Sequence, residues 1–145
     1  MPKQWELTVD GRLESLATIA DFVIKAAQAS GLNEKATFEV QMAVDEACTN
    51  VINHSYGGEG KGSIALRCKL LDGDFVVSIR DRGRPFEPDA IPPPDLTCSL
   101  AERCNGGLGL YFMRKLMDEV RFHFAADGNE LTMVKRIDQR SKAPT

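Results

Sequence analysis

The sequence lacks any apolar run that approaches the roughly 20 residues of a membrane-spanning helix. Its first residues, MPKQWELTVDGR, alternate in polarity and carry charge, so we do not expect them to form a secretory signal. It also lacks an excess of basic residues, and a formal net charge of -3 argues against a general nucleic-acid-binding protein. We therefore expect a cytoplasmic protein that contacts neither membrane nor nucleic acid directly. An anionic ligand held by backbone amides is compatible with this charge, because such a site needs no net positive charge.

The sequence also lacks a recognisable metal-binding pattern. Its four cysteines include no C-x-x-C pair, and it has only two histidines. A structural zinc site needs four such ligands in a clustered spacing, so the sequence disfavours one. Reduced thiols in a cytosolic protein are the simpler interpretation of Cys48, Cys68, Cys98 and Cys104.

Length and composition indicate one ordinary globular domain. The chain has 145 residues, of which 43% are hydrophobic and 27% are charged. That length suffices to bury a hydrophobic core without disulfides. We find no internal repeat, and we predict one domain over residues 1–138 followed by a frayed tail at 139–145.

Hydrophobic periodicity predicts three helices and five short strands. The helices are expected over about 13–28, 35–55 and 108–117. The strands are expected over about 4–9, 64–70, 75–79 and 120–124, with a last strand starting at 131. Both predicted hairpins present one apolar face, so the helices should cover one side of the sheet. The expected fold is α+β, a two-layer α/β sandwich with a mixed, mostly antiparallel sheet and helices on one face.

Short signals mark the ends of these elements. Gly31 is expected to end the first helix, and Asn33 is expected to cap the second. The Asp-Gly pairs at 72–73 and 127–128 are expected to turn the chain between strands.

Polar residues recur every four positions in the second predicted helix, within VDEACTNVINHSYGG at 44–58. At about 100° per residue, Glu46 and Asn50 lie roughly 40° apart on the helix surface, and His54 continues the line. A solvated helix face is the ordinary explanation of this spacing. The alternative is a row of functional groups beside the apolar stripe of the helix.

A carboxylate follows the strand predicted at 75–79, within RDRGRPFEP at 80–88. Asp81 comes directly after the apolar strand, and Gly83 follows two residues later. Asp81 is either a loop acid that caps a turn or an acceptor for a hydrogen bond from a ligand amine. Gly83 would let the backbone approach a flat ring closely.

Glycines precede and open the third predicted helix, within NGGLGLYFMRK at 105–115. Free N–H groups and the helix dipole at such an N-terminus suit a phosphate. The stretch is neither a Walker loop, which needs G-x-x-x-x-G-K-[ST], nor a Rossmann turn, because Phe112 holds the third glycine position. A flexible glycine hinge is the alternative interpretation of Gly106, Gly107 and Gly109.

The order of the three motifs is more specific than any one of them. Between the second and third lies a proline-rich loop at 84–106, and a compact domain rarely carries so long a loop without a use. This loop can fold over a nucleotide as a lid. Asn50 supplies an oxygen suitable for Mg²⁺, which keeps most of its waters and shares the phosphates. The motifs together predict nucleotide binding.

With these motifs the sequence resembles the GHKL, or Bergerat-fold, ATPases, the group of gyrase, Hsp90, histidine kinases and MutL. Within that group, DEACTNVINHSY and DRGRPFEP resemble the small anti-sigma-factor serine/threonine kinases of the RsbW and SpoIIAB type. The resemblance covers about residues 5–137. It implies a histidine-kinase-like ATPase domain with the Bergerat ATP-binding fold, and ATP and Mg²⁺ as cofactors.

The resemblance implies roles for the first two motifs. Glu46 would be the general base that takes the proton of a serine or threonine hydroxyl during phosphoryl transfer. Asn50 would ligate the Mg²⁺ that bridges the phosphates. Asp81 would accept a hydrogen bond from the adenine amino group, and Gly83 would pack under the base.

The resemblance also implies nucleotide contacts later in the chain. Gly107, Leu108 and Gly109 would belong to the phosphate-binding end, with the glycines giving backbone amides. Arg103, in the lid, would reach the γ-phosphate, although a lid arginine is more often merely exposed. Thr132 matches a position that lies beside the adenine-binding aspartate in the family.

The activity that the resemblance implies is ATP-dependent phosphorylation of an anti-sigma-factor antagonist, a STAS-type protein, by a regulator that also binds a sigma factor. The alternative is an ATP-gated partner-switching protein that transfers no phosphate. A plain ATPase ranks third, because the sequence shows no transducer domain to harness hydrolysis. A homodimer is also implied, with the strand at 4–9 and the helix at 13–28 as candidates for its interface.

Overall fold

The computed structural model describes residues 3–84 and 107–137. Over these residues the chain forms three α-helices and five strands, in the order predicted from the sequence. The helices are α1 (Leu16–Ala29, after a 3-10 turn at Leu13–Ser15), α2 (Glu34–Asn50, continuing into a π-helical turn at Val51–Ser55) and α3 (Gly107–Leu116). The strands are β1 (Lys3–Asp10), β2 (Ser63–Leu71), β3 (Asp74–Asp81), β4 (Glu119–Ala125) and β5 (Gly128–Arg136).

The five described strands form one sheet in the order β1-β2-β3-β5-β4. All four pairings between these strands are antiparallel, whereas the sequence led us to expect a mixed, mostly antiparallel sheet. Each register runs continuously, so side chains alternate regularly between the two faces. The predicted α+β sandwich is confirmed. Its topology brings the end of β3 beside the start of β5, where Asp81 pairs with Asn129.

The inner face of the sheet forms the hydrophobic core with the helices. Cys68, Val77 and Met133 are paired across β2, β3 and β5, and none of them has exposed surface. Helix α2 packs against both α1 and α3 and buries Val40 and Val44 in the same core. Burying an aliphatic side chain of this size contributes roughly 1.5 to 3 kcal/mol, so the core holds α2 firmly over the sheet.

Two of the predicted boundary signals have clear local causes. The side chain of Asn33 accepts a hydrogen bond of 2.8 Å from the backbone N–H of Ala36, which satisfies a free donor in the first turn of α2. Asp72 and Gly73 turn the chain between β2 and β3 with φ angles of 50° and 83°. The predicted cap and the predicted hairpin turn are both confirmed.

The end of α2 differs from the uniform helix predicted at 35–55. From Val51 the helix widens into a π-helical turn, in which the N–H of Tyr56 donates to the Val51 carbonyl at 2.9 Å. The wider turn breaks the spacing of about 100° per residue that placed His54 in line with Glu46 and Asn50. The line therefore ends at Asn50, and His54 is an exposed residue whose carbonyl accepts a hydrogen bond of 3.2 Å from Arg84.

A partly buried ion pair fixes the first half of α2 to the last strand. Lys135 Nζ lies 2.8 Å from Glu39 Oε1, and the two side chains are only 15% and 22% exposed. The same ammonium donates to the carbonyl of Leu116, at the end of α3, at 2.6 Å. One lysine on β5 thus ties two helices to the sheet.

The described residues bear on three further features of the sequence. No described helix is long and apolar enough to span a membrane. The described cysteines, Cys48 and Cys68, are both unpaired and buried, and Cys98 and Cys104 lie outside the described residues. Within the described ranges, no group of three or more histidine, cysteine, aspartate or glutamate side chains is placed to hold a metal ion.

Candidate functional site

A narrow cleft with a volume of about 30 Å³ opens between the C-terminal half of α2, helix α3 and strands β3, β4 and β5. Its walls are mainly apolar and are formed by Ala47, Val51, Met113, Phe122, Phe124 and Leu131. Its polar lining consists of Asn50, Ser55, Asp81, Asn129 and Glu130. A mostly apolar concavity with a few polar groups is the usual form of a small-molecule site.

Asp81 is the buried acid of this cleft. It is the last residue of β3 and is only 7% exposed. Its Oδ1 accepts a hydrogen bond of 2.8 Å from the N–H of Gly83 and one of 2.9 Å from Asn129 Nδ2. The first of these bonds closes a turn of the kind that aspartate commonly caps. Asp81 therefore caps a turn with one oxygen and lines the cleft as well, so the two interpretations of the sequence are compatible.

Asn129 is a site residue that the sequence analysis missed. It is buried at the start of β5, directly across from Asp81, and its amide nitrogen also donates to the carbonyls of Gly83 and Arg84 at 3.0 and 3.2 Å. In the sequence it follows the Asp-Gly pair at 127–128, so the pattern indicated only a turn. Nothing local identifies its partner, which is 48 positions away along the chain.

Gly83 is required at its position for a reason that the sequence did not indicate. A Cβ atom on this residue would collide with the carbonyl of Ser55 in the π-helical turn and would lie 2.8 Å from the Ser55 Cβ. The next residue reinforces this contact, because the N–H of Arg84 donates to the Ser55 carbonyl at 2.7 Å. The loop after β3 is thus packed directly on the end of α2.

Asn50 and Glu46 lie one helical turn apart on α2, and both are partly exposed. Asn50 lines the cleft. Glu46 is not among the described residues that line it, and its position is roughly 6 Å further along the helix axis, toward the N-terminus of α2. The helix therefore presents an amide inside the cleft and a carboxylate about one turn outside it.

The glycine-rich motif begins helix α3. Gly107, Leu108 and Gly109 form the first turn, where backbone N–H groups have no partner within the helix. The same helix contributes Met113 to the wall of the cleft. The lid predicted at 84–106 lies outside the described residues except for Arg84, and Arg103 lies outside them entirely.

Thr132 is placed away from Asp81. On β5 it lies opposite Ser78 and Arg121, which belong to the outer face of the sheet. Its neighbours Leu131 and Met133 are buried on the inner face, so the alternation of the strand directs Thr132 outward. The residue that the structure brings beside Asp81 is Asn129 and not Thr132.

The cleft has the chemistry to bind a flat ring that carries a hydrogen-bond donor. Phe122 and Phe124 lie on one wall with their ring centroids 6.1 Å apart and their planes 22° from parallel. The carboxylate of Asp81 can only accept hydrogen bonds when it is ionised, so it would recognise an amino group on the ring. Helix α3, which contributes Met113 to the wall, begins with backbone N–H groups that have no partner within the helix, and such groups are suited to bind the anionic part of the same ligand.

A helix-covered antiparallel sheet of this kind is shared with the histidine kinase-like ATPase domains of known structure. The model of that family, described as the histidine kinase-like ATPase domain, matches residues 9–135. The chain belongs to the histidine kinase-like ATPase family, on the branch of the RsbW serine-protein kinases. The family assignment made from the three sequence motifs is therefore confirmed.

Several RsbW serine-protein kinases support this branch. The chain is 36% identical to the one from Bacillus velezensis over 104 residues, which are 69% of this chain and 64% of that protein. It is 32% identical to the one from Halalkalibacterium halodurans, over 82% of this chain and 75% of that protein. With the one from Bacillus subtilis the identity is 30%, over 80% of this chain and 75% of that protein.

Solved structures agree with the fold. The crystal structure of the RsbU and RsbW domains of a Mycobacterium tuberculosis protein superposes with a TM-score of 0.67 at 20% identity, over 92% of this chain and 32% of that one. The histidine kinase domain of a blue-light activated histidine kinase from Erythrobacter litoralis gives a TM-score of 0.56 at 18% identity, over 92% and 64% of the two chains. At these identities the likeness concerns the fold alone.

Proposed function

We propose that this chain is an ATP-dependent serine/threonine protein kinase that acts as an anti-sigma regulator. Its substrate would be an anti-sigma-factor antagonist of the STAS type, and its second partner a sigma factor. One observation carries the proposal: α2 places Asn50 in a cleft that also contains the buried acceptor Asp81, and places Glu46 one turn outside it. This arrangement puts a candidate base where a second protein can reach it.

The cleft would bind both ends of ATP, the adenine base and the phosphates. Asp81 would accept a hydrogen bond from the adenine amino group, and the walls that include Phe122 and Leu131 would enclose the base. The first turn of α3, with Gly107, Leu108 and Gly109, would donate its free amides to the phosphates. Arg103 and Thr132 stay predictions from the family resemblance, and the placement of Thr132 on the outer face gives its side chain no contact with Asp81.

The available side chains fit a magnesium ion that is bound mainly by the nucleotide phosphates, and they do not form a site that would bind the ion by protein ligands alone. The described residues contain no cluster of three acidic or imidazole ligands, whereas Asn50 offers one amide oxygen in the cleft. Mg²⁺ in nucleotide sites commonly takes one or two protein oxygens and completes its shell with phosphates and water. Asn50 would hold it, and the ion would neutralise phosphate charge during the transfer.

Glu46 would do the proton chemistry. As a general base its carboxylate would take the proton from the acceptor hydroxyl of the partner protein as the γ-phosphoryl group moves to that oxygen. Its partial exposure suits this role, since the hydroxyl arrives from outside the cleft. The remaining residues of the site bind and orient the nucleotide, and positioning of this kind supplies much of the catalysis of phosphoryl transfer.

The homodimer belongs to the same proposal. Strand β1 lies at one edge of the described sheet, so its outer backbone groups are free to pair with another chain. Helix α1 packs beside β1 and would complete the interface.

The test of the proposal is transfer of labelled phosphate from Mg-ATP to the STAS-type antagonist. We expect Glu46→Gln to lower the transfer rate by roughly 10² to 10⁴-fold, the usual contribution of a general base. Binding of ATP, measured by calorimetry, should be nearly unchanged. Asp45→Asn is the matched control, because this exposed neighbour points about 100° away around the helix and should leave transfer intact.

The alternative of an ATP-gated binding protein makes the opposite prediction. ATP-dependent capture of the partner that survives in Glu46→Gln, with no transfer by the wild-type protein, would establish that alternative. Transfer by Glu46→Gln at the wild-type rate would show that another group is the base.

A further inference from the structure

The hydrogen bonds around Asp81 use its two carboxylate oxygens unequally. Oδ1 accepts from Gly83 N at 2.8 Å and from Asn129 Nδ2 at 2.9 Å. Oδ2 has no hydrogen-bond partner among the residues that the structure describes, and Asp81 lines the cleft. Among the described residues, one oxygen is therefore committed to the protein and the other can still accept a hydrogen bond from a ligand.

The orientation of the Asn129 amide follows from its neighbours. Three acceptors surround one end of it: the carboxylate of Asp81 and the backbone carbonyls of Gly83 and Arg84. Only the NH₂ group of asparagine can satisfy acceptors, so the nitrogen and not the oxygen must face them. Its two hydrogens serve three acceptors, so that end of the amide has no donor left over.

The position of Asn129 is equally fixed. The register of β3 and β5 places it directly opposite Asp81, and both residues are buried, at 6% and 7% exposure. Leu131 and Met133, on the same face of β5, are core residues and anchor the strand. The donor that holds the carboxylate is thus carried by a rigid element and not by a loop.

We propose that Asn129 is the positioning residue for base recognition: it holds Asp81 so that Oδ2 faces the cleft and selects a purine that carries an amino group. The inference rests on the proposed binding of ATP by this cleft. Without Asn129, the carboxylate would keep only the bond to Gly83 N, and it could rotate about its terminal torsion, which is intrinsically broad. The acceptor would then be poorly aligned with the amino group of the base.

A merely structural role for Asn129 is the competing explanation. Its bonds to the Gly83 and Arg84 carbonyls also tie the loop after β3 to the start of β5. Loss of those bonds alone would weaken the binding of every nucleotide, whatever its base carries. The two explanations are therefore separated by selectivity and not by affinity.

The experiment compares binding of Mg-ATP with binding of the magnesium complex of purine riboside triphosphate, which lacks only the 6-amino group. Calorimetry on the full chain gives the ratio of the two dissociation constants. A hydrogen bond to a charged acceptor contributes enough that wild type should prefer ATP by roughly tenfold to hundredfold. We expect Asn129→Ala to reduce that ratio to within roughly threefold of unity, by weakening ATP binding far more than binding of the analogue.

Tyr56→Phe is the matched control. The Tyr56 hydroxyl accepts from the Arg82 N–H at 3.0 Å and donates to the Ser63 carbonyl at 2.6 Å, so its removal loosens the same loop without touching the carboxylate. This variant should keep the wild-type ratio. Asn129→Ser, whose shorter side chain cannot reach the three acceptors, provides a second reading if the alanine variant folds poorly.

Each outcome decides between the explanations. A ratio that collapses in Asn129→Ala and Asn129→Ser but not in Tyr56→Phe supports the positioning role. A ratio that stays at the wild-type value in the Asn129 variants, while both affinities fall together, overturns it. If the wild-type protein binds neither nucleotide, the proposed function itself is wrong. If the wild-type protein binds both nucleotides equally, Asp81 does not recognise the amino group of the base, and the positioning role of Asn129 is wrong as well.

Discussion

Gly83 shows how one missing side chain sets the position of the loop beside the cleft. A Cβ atom there would collide with the Ser55 carbonyl, so Gly83→Ala must move either the loop or the π-helical turn. Overpacking of this kind typically costs about 1 to 3 kcal/mol. We expect urea denaturation without nucleotide to show a free energy of unfolding lower by about 2 kcal/mol in Gly83→Ala.

Gly57→Ala separates crowding from backbone strain. Gly57 has a φ of 72°, which disfavours alanine, but a Cβ atom there would meet nothing within 4 Å. The strain alone should cost about 1 kcal/mol. If Gly83→Ala is no more destabilising than Gly57→Ala, the close contact with Ser55 is not what requires glycine at 83.

At the scale of single residues, the sequence predicts positions better than contacts. Asp81 is recognisable as a candidate site residue because it directly follows an alternating apolar strand. Asn50 is recognisable because it lies four residues after Glu46 on the predicted helix. Asn129 is not recognisable, because its importance comes from a partner 48 residues away. Thr132 was assigned by family position, and the alternation of β5 places its side chain on the other face of the sheet.

Helix α2 contributes Asn50 to the cleft, and different contacts hold its two ends in place. The N-terminus is capped by a side chain, and the C-terminus widens into a π-helical turn whose last carbonyl accepts the N–H of Arg84. The apolar period predicts the existence and length of this helix, since burial of its stripe repeats every 3.6 residues. It does not predict the wide turn, which packs through Ser55 against Gly83 and Arg84, residues that are distant in the sequence.

Asn33→Ala tests the capping of α2. The substitution removes the acceptor of the 2.8 Å bond from Ala36 N, and loss of such a cap costs about 1 kcal/mol. We expect denaturation to show a loss of that size. The affinity for ATP should not change, because Asn33 and Asn50 lie at opposite ends of the helix, about 25 Å apart.

Asn33→Ser is the appropriate comparison. Serine is a good N-cap, so this variant should retain most of the stability that alanine loses. If alanine and serine lose equal amounts, the contribution of Asn33 does not come from the cap.

At the scale of the whole molecule, the sequence predicts the layers but not the order of the strands. Alternation in each strand shows which residues face the helices, and that is enough to predict a sandwich with one covered face. The order β1-β2-β3-β5-β4 depends on the pairing of β3 with β5, which are separated by more than 40 residues in the chain. That long-range pairing is also what brings Asn129 to Asp81, so the site is completed only by the complete fold.

Burial of Cys68 in the core should make the stability of the protein depend on pH in the alkaline range. Burial raises the pKa of the Cys68 thiol from 9.0 to about 12. Between these values the unfolded chain loses a proton that the folded chain keeps, so the free energy of unfolding falls as pH rises. Cys68→Ala lacks this group, and the stability of wild type relative to the variant should decline by about 1 to 2 kcal/mol between pH 8 and pH 10.5.

The comparison cancels every other titrating group, including Cys98 and Cys104, because wild type and variant share them. At pH 8 the variant should be the less stable of the two, since removing a buried side chain leaves a cavity. Ser78→Ala is the control, because Ser78 lies on the same sheet but carries no group that ionises in this range. Its difference from wild type should not depend on pH. A pH-independent difference for Cys68→Ala would mean that solvent reaches the thiol in the native state, and that the sheet and its helices do not enclose a continuous core.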